Sequence, residues 1–194
     1  MEPIMHALFF EVRPKPGHLD HYFDHVARLR PVLSQHTGLR FLDRYSALND
    51  AGLLLSHQLW DSDDAIIAWR KDATHRRSQS AGRQVHFADY RIRVGLRVLH
   101  WTAGTQATQA PFVGPADVPH VIALYGAEPV TASAFNAFES VNTKGRFIAL
   151  ATTDGYAAAQ ALLNENLDAP GLESGAVYRI RRDYGQFDRA QAPT

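Results

Sequence analysis

Two hydrophobic periods alternate along the first hundred residues of the chain. Short apolar or alternating runs predict strands, and stripes that recur every three to four residues predict amphipathic helices. In chain order the predicted elements are a strand at 4–12, a helix at 17–33, strands at 39–47 and 53–60, a helix from Asp63 that Asp61 or Ser62 caps, and a strand at 85–101. This β-α-β-β-α-β order is typical of a ferredoxin-like unit, in which two helices cover one face of an antiparallel sheet.

The rest of the chain repeats the pattern in shortened form. Its predicted elements are a strand at 119–126, a helix at 131–140, a strand at 146–152, a helix at 155–167 and a strand at 176–187. The tetrapeptide Tyr-Arg-Ile-Arg occurs at 90–93 and again at 178–181, near the start of the last strand of each half. We therefore expect an α+β fold of tandem ferredoxin-like (βαββαβ) units, the second of them degenerate.

A stretch without hydrophobic period separates the halves. Residues 102–117 are dense in Thr, Gln, Ala, Gly and Pro, as a connecting loop should be. The chain is predicted to divide into a first domain at 1–104, a linker at 105–117 and a second domain at 118–194.

Both faces of the first strand are apolar. Residues 4–12 place Leu8 and Phe10 on one side and Ala7 and Phe9 on the other, whereas a strand with one wet face alternates apolar and polar residues. A second sheet must cover the face that the helices leave bare, supplied either by the other half of the chain or by a second chain. Both arrangements give a dimeric α+β barrel with pockets between each sheet and its helices. Because the second half is shortened, we expect a homodimer.

Composition and charge limit the classes of partner and of chemical site that can be expected. Lys and Arg total 20, as do Asp and Glu, so no net charge attracts nucleic acid or an anionic membrane, and neither partner is expected. The absence of cysteine excludes disulfides, thiolate nucleophiles and Cys-based metal sites. The N-terminus shows no signal peptide or membrane span, so a cytoplasmic location is the default expectation.

Three histidines share one side of the first predicted helix. His18, His21 and His25 stand at i, i+3 and i+7, and three imidazoles could bind Zn²⁺, Ni²⁺ or Cu²⁺. The first and third lie two turns apart, about 10 Å along the axis. The spacing therefore favours a solvated face, and no metal site is predicted.

A motif in the first half resembles the antibiotic biosynthesis monooxygenase (ABM) family. The matching pattern runs from a strand that ends in an aromatic residue, through an acidic helix start, Trp-Arg, His, Gln and Gly-Arg, to a closing aromatic strand. Its residues here are Trp60, Asp61, Asp63, Asp64, Trp69, Arg70, His75, Gln79, Gly82, Arg83, Phe87 and Tyr90. The resemblance spans roughly residues 4–101 and implies a dimeric ferredoxin-like α+β barrel. The family includes cofactor-free oxygenases of aromatic polyketides and haem-degrading enzymes, so membership alone leaves the reaction open.

Two departures from the family pattern bear on the reaction. Haem-degrading members resemble one another in placing a ligating histidine ten residues after the helix tryptophan. That position here is Gln79, which cannot replace imidazole as a strong axial ligand. Quinone-forming members have an asparagine one turn before the tryptophan, where this chain has Ala65. Haem degradation is thus disfavoured, and the family's oxygenase apparatus is incomplete.

Each candidate residue has a structural alternative. Trp69 shares a face with Ile66, so it serves either as core or as pocket wall. On an unbroken helix His75 would point away from Trp69, but a break at Asp72 that caps a second helix would restore contact. Arg70 and Arg83 either pair with acidic groups or bind a substrate oxygen anion.

The resemblance implies catalytic roles for Trp69, His75, Arg70 and Arg83, and substrate contacts for Phe87, Tyr90, Trp60 and Gln79. The leading hypothesis is a monooxygenase that directs the reaction of a small aromatic or quinol-like molecule with O₂, without metal or flavin and with no bound cofactor. The alternative is a non-catalytic small-molecule-binding or structural barrel.

Overall fold

The computed structural model describes residues 4–110, 114–115 and 117–193. The first half contains β1 (His6–Pro14), α1 (Leu19–Leu33), β2 (Leu39–Ala47), β3 (Leu54–Trp60), α2 (Asp63–Lys71), α3 (Ala73–Ala81), a π-helical turn (Gly82–His86) and β4 (Phe87–Thr102). After a two-residue strand β5 (Thr108–Gln109) come β6 (Pro119–Gly126), β7 (Asn136–Ser140), β8 (Phe147–Asp154), α4 (Tyr156–Asn164) and β9 (Leu172–Gly185). The β-α-β-β-α-β order predicted for the first half is confirmed, with its second helix in two pieces.

The strands join into one closed sheet. Strand order is β1-β3-β2-β7-β8-β6-β9-β4, and β4 returns to pair with β1, so eight of the strands in the described residues form a barrel. The halves meet where β2 pairs with β7 and where β4 pairs with β9, both antiparallel. The α+β barrel is thus confirmed, but the expected face-to-face packing of two separate sheets is wrong, because their edges are hydrogen-bonded.

The helix predicted at 131–140 is wrong. Residues 136–140 form β7, whose Ala137 packs on the outer side of the sheet with Phe135 and whose Phe138 packs inside the barrel. With apolar residues on both faces, this strand lacks the alternation that marks a half-exposed strand. The second half therefore has no described helix between its first two strands, and a full tandem repeat of βαββαβ units is not established.

The repeated tetrapeptide does not occupy equivalent places. Tyr90 faces the helices and packs with Tyr22 and Phe87, whereas Tyr178 lies inside the barrel against Phe9. The shared four residues are therefore no indication that the two last strands are superimposable.

Two buried polar side chains, His57 and Arg93, lie among the apolar residues inside the barrel. His57 is fully buried, lies stacked on Phe9 with ring centroids 4.6 Å apart, and its Nε2 lies 2.9 Å from the hydroxyl of Tyr125. Arg93 is buried in an ion pair with Glu11 and donates to the hydroxyl of Thr152 over 2.7 Å. Arg93 is therefore ion-paired and shielded from solvent.

Closure within one chain alters the case for a homodimer. The inner faces of both halves line the same interior, so the bare apolar face behind that prediction is covered by the chain itself. No helix in the described residues is long and apolar enough to cross a membrane. Homodimerisation and the division into domains at 105–117 stay predictions.

Candidate functional site

A cavity of about 280 Å³ lies between the sheet of the first half and its own helices. Its floor is the outward face of β1, β3 and β4, where alternate residues such as Phe10, Gln58 and Ile92 point away from the barrel. Its roof is the inner face of α1, α2 and α3, with Leu29, Trp69 and His75 among the contacts. A pocket in this place matches the prediction from the sequence.

The break between α2 and α3 brings Trp69 and His75 together. Asp72 ends α2 and caps α3, because its carboxylate accepts hydrogen bonds from the backbone N–H groups of Thr74 (2.9 Å) and His75 (3.0 Å). The chain turns at this point, and the His75 ring lies flat on the Trp69 indole with centroids 3.9 Å apart. The predicted break at Asp72 is confirmed.

The contacts of His75 define its hydrogen-bonding state. Its Nδ1 lies 2.9 Å from the carbonyl oxygen of Trp69, which can only accept, so this nitrogen carries the proton. Burial lowers the pKa of His75 to about 4, so the ring is neutral at pH 7. Nε2 then carries the lone pair in the wall of the cavity, 3.4 Å from the side-chain nitrogen of Gln79, and a neutral ring with such a lone pair is the state that a proton acceptor requires.

Replacing Asp72 with alanine should cost about 1 kcal/mol of stability, because two N–H groups of α3 lose their acceptor. For a chain of this size that corresponds to a fall in Tm of about 2–4 °C, measured by thermal unfolding. Asp72→Asn keeps an accepting oxygen at the same place and is the matched control. Equal melting of wild type and Asp72→Ala would show that the cap does not hold the break.

The charged residues around the cavity are of one sign. Its lining contains six arginines and, within the described part of the chain, no Asp or Glu: Arg44, Arg70, Arg76, Arg83, Arg182 and Arg189. Arg182 pairs with Asp63 behind the wall. The Nε atoms of Arg44 and Arg182 are buried without a hydrogen-bond partner among the described residues. An apolar cavity with such a rim suits a ligand that has an apolar body and an anionic or acidic oxygen.

The second half of the chain closes the cavity. Arg70 donates to the carbonyl of Pro193 (3.1 Å) and to the hydroxyl of Tyr184 (3.2 Å). Arg189 donates to the hydroxyl of Tyr90 over 2.6 Å. The segment after β9 therefore lies across α2 and β4, and the site is complete only when both halves are folded.

Seven of the eight predicted site residues line this cavity: Trp69, Arg70, His75, Gln79, Arg83, Phe87 and Tyr90. Trp60 does not, because it is fully buried and donates its indole N–H to Gln58 Oε1 (2.9 Å), which does line the cavity. Trp69 is both core and wall, since it is 4% exposed and packs with Ile66. The side-chain nitrogen of Gln79 lies 3.1 Å from Nδ1 and 3.4 Å from Nε2 of His75, and of these two only the unprotonated Nε2 can accept its hydrogen bond.

The glycine of the Gly-Arg pair has a steric role. A Cβ on Gly82 would lie 2.4 Å from the ring of Phe87, so only glycine allows that ring to cover the π-helical turn. This π-helical turn places Arg83 and Phe87 on the same cavity wall.

Other residues of the cavity were not predicted. Gln58 stands in a nearly uninterrupted buried strand, and Arg182, Tyr184 and Arg189 come from the distant end of the chain. The outward register shared by Ser56 and Gln58 is the one signal in the sequence that could have indicated the polar part of the floor.

Comparison with known sequences finds a family match in the first half of the chain and a relative along most of its length. Residues 5–81 match the family model of antibiotic biosynthesis monooxygenases. The chain is 27% identical over 216 residues to the jasmonate monooxygenase ABM of Pyricularia oryzae, covering 97% of each.

Two solved structures resemble the fold. The structure of an aldoxime dehydratase has a TM-score of 0.54 at 7% identity, covering 91% of this chain and 81% of that one. A structure described as a putative monooxygenase, from Fusobacterium nucleatum, has a TM-score of 0.47 at 6% identity, covering 94% and 95%. The first of these likenesses concerns the fold alone. The family resemblance covers residues 5–81, which match the model of antibiotic biosynthesis monooxygenases.

Proposed function

We propose that this chain is a monooxygenase that acts with O₂ on a small aromatic or quinol-like molecule bearing an acidic oxygen, without metal or flavin. The observation that carries the proposal is the neutral His75, stacked on Trp69 in the wall of an apolar cavity whose charged lining is entirely arginine. The ABM domain and the monooxygenase relative support the same reaction class.

Each group of the site has a role in this reaction. Trp69, Phe87 and Tyr90 hold the flat ring by aromatic contact. His75 Nε2 accepts the proton of the acidic oxygen, and Arg70 or Arg83 stabilises the anion that forms. Because the lowered pKa of His75 makes its protonated form costly, transfer is favourable only while the anion stays beside it. The site therefore selects substrates that place an acidic oxygen at this position.

The substrate itself supplies the electrons. A ring carbon that carries two hydrogens next to the phenolate system gives CH₂ + O₂ → C=O + H₂O, with one oxygen atom in the product and the other in water. The two C–H bonds provide all four electrons, so no external reductant is needed. Insertion into a single C–H bond would instead require a two-electron donor.

The experiment is oxygen uptake by the purified chain. An oxygen electrode measures consumption with a panel of anthrones and quinols, and ¹⁸O₂ labelling shows whether one atom enters the product. Jasmonate, with a two-electron donor added, joins the panel because the Pyricularia oryzae relative is named for it. We expect uptake and single-atom labelling with at least one phenolic substrate.

A non-catalytic binding protein is the contrasting candidate, and Ala65 in place of the family's asparagine favours it. Saturable binding of a phenolic ligand without oxygen uptake across the panel would support it. A His75-dependent Soret band on adding haem would support the haem branch, which Gln79 disfavours.

Replacing Arg83 with methionine should raise KM for a phenolic substrate about tenfold or more, because a charge-assisted hydrogen bond contributes about 1.5–3 kcal/mol. Arg77→Met is the matched control, since Arg77 is an exposed arginine of α3 outside the cavity. KM is measured by oxygen uptake, and thermal unfolding checks the fold. An equal rise in both variants would place the effect in the overall charge and not in the cavity.

A further inference from the structure

Three imidazoles meet at the start of α1, outside the cavity. His18 precedes the helix, His21 stands in its first turn, and His86 ends the π-helical turn. One ring nitrogen from each lies within 4.8 Å of the other two. His18 Nδ1 and His86 Nδ1 are 3.0 Å apart. Residues 65 positions apart in the sequence, such as His21 and His86, are thus brought together by the fold.

This set has the composition of a transition-metal site. Imidazole nitrogen is a preferred ligand of Zn²⁺, and bonds of about 2.0–2.1 Å in tetrahedral geometry place ligand nitrogens about 3.3 Å apart. The present separations differ from that by small side-chain rotations, which rings that are not fully buried can make. His21 is exposed while His18 and His86 are half-buried, so an ion can reach the site and a water can complete the coordination.

His25, the third histidine of the helical stripe, has other hydrogen-bond partners, although its ring centroid lies 5.4 Å from that of His86. Its Nδ1 lies 3.1 Å from the hydroxyl of Ser78 and 3.2 Å from Arg28. It is also two turns from His18, whereas His86 comes to the same end of the helix as His18 and His21. One helix does not bring three histidines close together, and His86 of the π-helical turn supplies the third ligand.

We propose that His18, His21 and His86 bind one Zn²⁺ ion. Metal bonds would replace the contact between the two Nδ1 atoms and connect α1 to the π-helical turn. That turn carries Arg83 and leads into Phe87, both of which line the cavity. Because zinc binds the folded chain, it stabilises that state by mass action. It also fixes one wall of the cavity, although the ion itself lies outside the cavity.

The test is titration of tag-free, EDTA-treated and desalted protein with ZnCl₂ by isothermal titration calorimetry. We expect binding at one ion per chain and a higher Tm in the presence of zinc. His86→Gln and His21→Gln should each weaken binding by at least about tenfold, because each removes one of three ligands. His36→Gln, a histidine outside the cluster, is the matched control and should bind as wild type does.

Two outcomes would overturn the proposal. One is no saturable binding of zinc by the wild type. The other is unchanged affinity in His86→Gln, which would mean that the stripe of His18, His21 and His25 binds alone. Thermal unfolding in EDTA verifies that each variant folds before zinc is added. Since binding is read as heat and not as oxygen uptake, its failure and the failure of the proposed oxygenase are distinguishable.

Discussion

Replacing His75 with alanine should lower the rate of oxygen uptake by about 100- to 10,000-fold, the range for losing a general base. The ring is neutral, its Nδ1 is held by the Trp69 carbonyl, and its Nε2 remains to accept a proton. Tm should change little, because His75 is only half-buried and the Asp72 cap of α3 uses its backbone N–H, which alanine keeps. The measurement is kcat by oxygen electrode beside thermal unfolding.

Variants of the neighbouring rings separate catalysis from folding. Trp69→Phe keeps an apolar ring and should reduce uptake at nearly unchanged Tm. Trp69→Ala should also cost roughly 3–5 kcal/mol of stability, because the side chain is buried. His36→Gln is the control. The His36 ring packs edge-on against Trp69, with the ring centroids 5.1 Å apart, but it does not line the cavity. Full activity in His75→Ala would remove His75 from the mechanism and leave the ring as packing.

The free energy of unfolding should fall as pH is lowered from about 6.5 to 4. Burial lowers the pKa of His57 to about 4, so this ring binds its proton near pH 6.5 when unfolded but not when folded. Between those values the unfolded state holds more protons, and stability therefore decreases as pH decreases. A lowering from 6.5 to about 4 corresponds to on the order of 3 kcal/mol at full effect. Urea unfolding at a series of pH values measures it.

His57→Gln is the matched variant, because glutamine can still bond the Tyr125 hydroxyl but does not titrate. The pH dependence should become shallower in this variant. The remainder is due to His75, whose pKa is lowered to a similar value, and to the other histidines whose pKa burial lowers: His6, His25, His86 and His120. Carboxylates such as Asp63, whose pKa is lowered, act at more acidic pH, below about 4. A profile of wild type that is flat between pH 4 and 6.5 would contradict a neutral, buried His57.

Local pattern was sufficient for most elements. β2 and β6 were predicted at their observed bounds, and α1 to within two residues at its start, because β-rich runs and a helical period mark them. The same reasoning failed at β7, where Phe135 and Phe138 imitate helical spacing. Seven cavity residues were found through a family motif and not through any period of hydrophobicity.

Long-range contacts explain what could not be predicted. Pro193 and Arg189 reach the cavity from the segment after β9, whose polar, irregular sequence carries no hydrophobic period. Tyr184 reaches it from the end of β9, a strand of the other half. His86 joins His18 and His21 only because the π-helical turn returns to the start of α1. The pairings that close the barrel join strands of different halves, and local sequence preference does not determine which strands pair.

Closure of the barrel across the two halves has a consequence for how the chain is made. One edge of β4 pairs with β1 of the same half, but its other edge pairs with β9, from Arg91 opposite Gly185 to Thr102 opposite Ser174. That second edge therefore gains its partner only after β9 leaves the ribosome. Until then the nascent first half exposes the unpaired edges of β2 and β4, which can template pairing with another chain. Pairing between strands so distant in sequence is also slow. Nascent chains of this protein therefore pass through an interval in which chaperone binding competes with aggregation, and that interval ends when β9 seals the sheet.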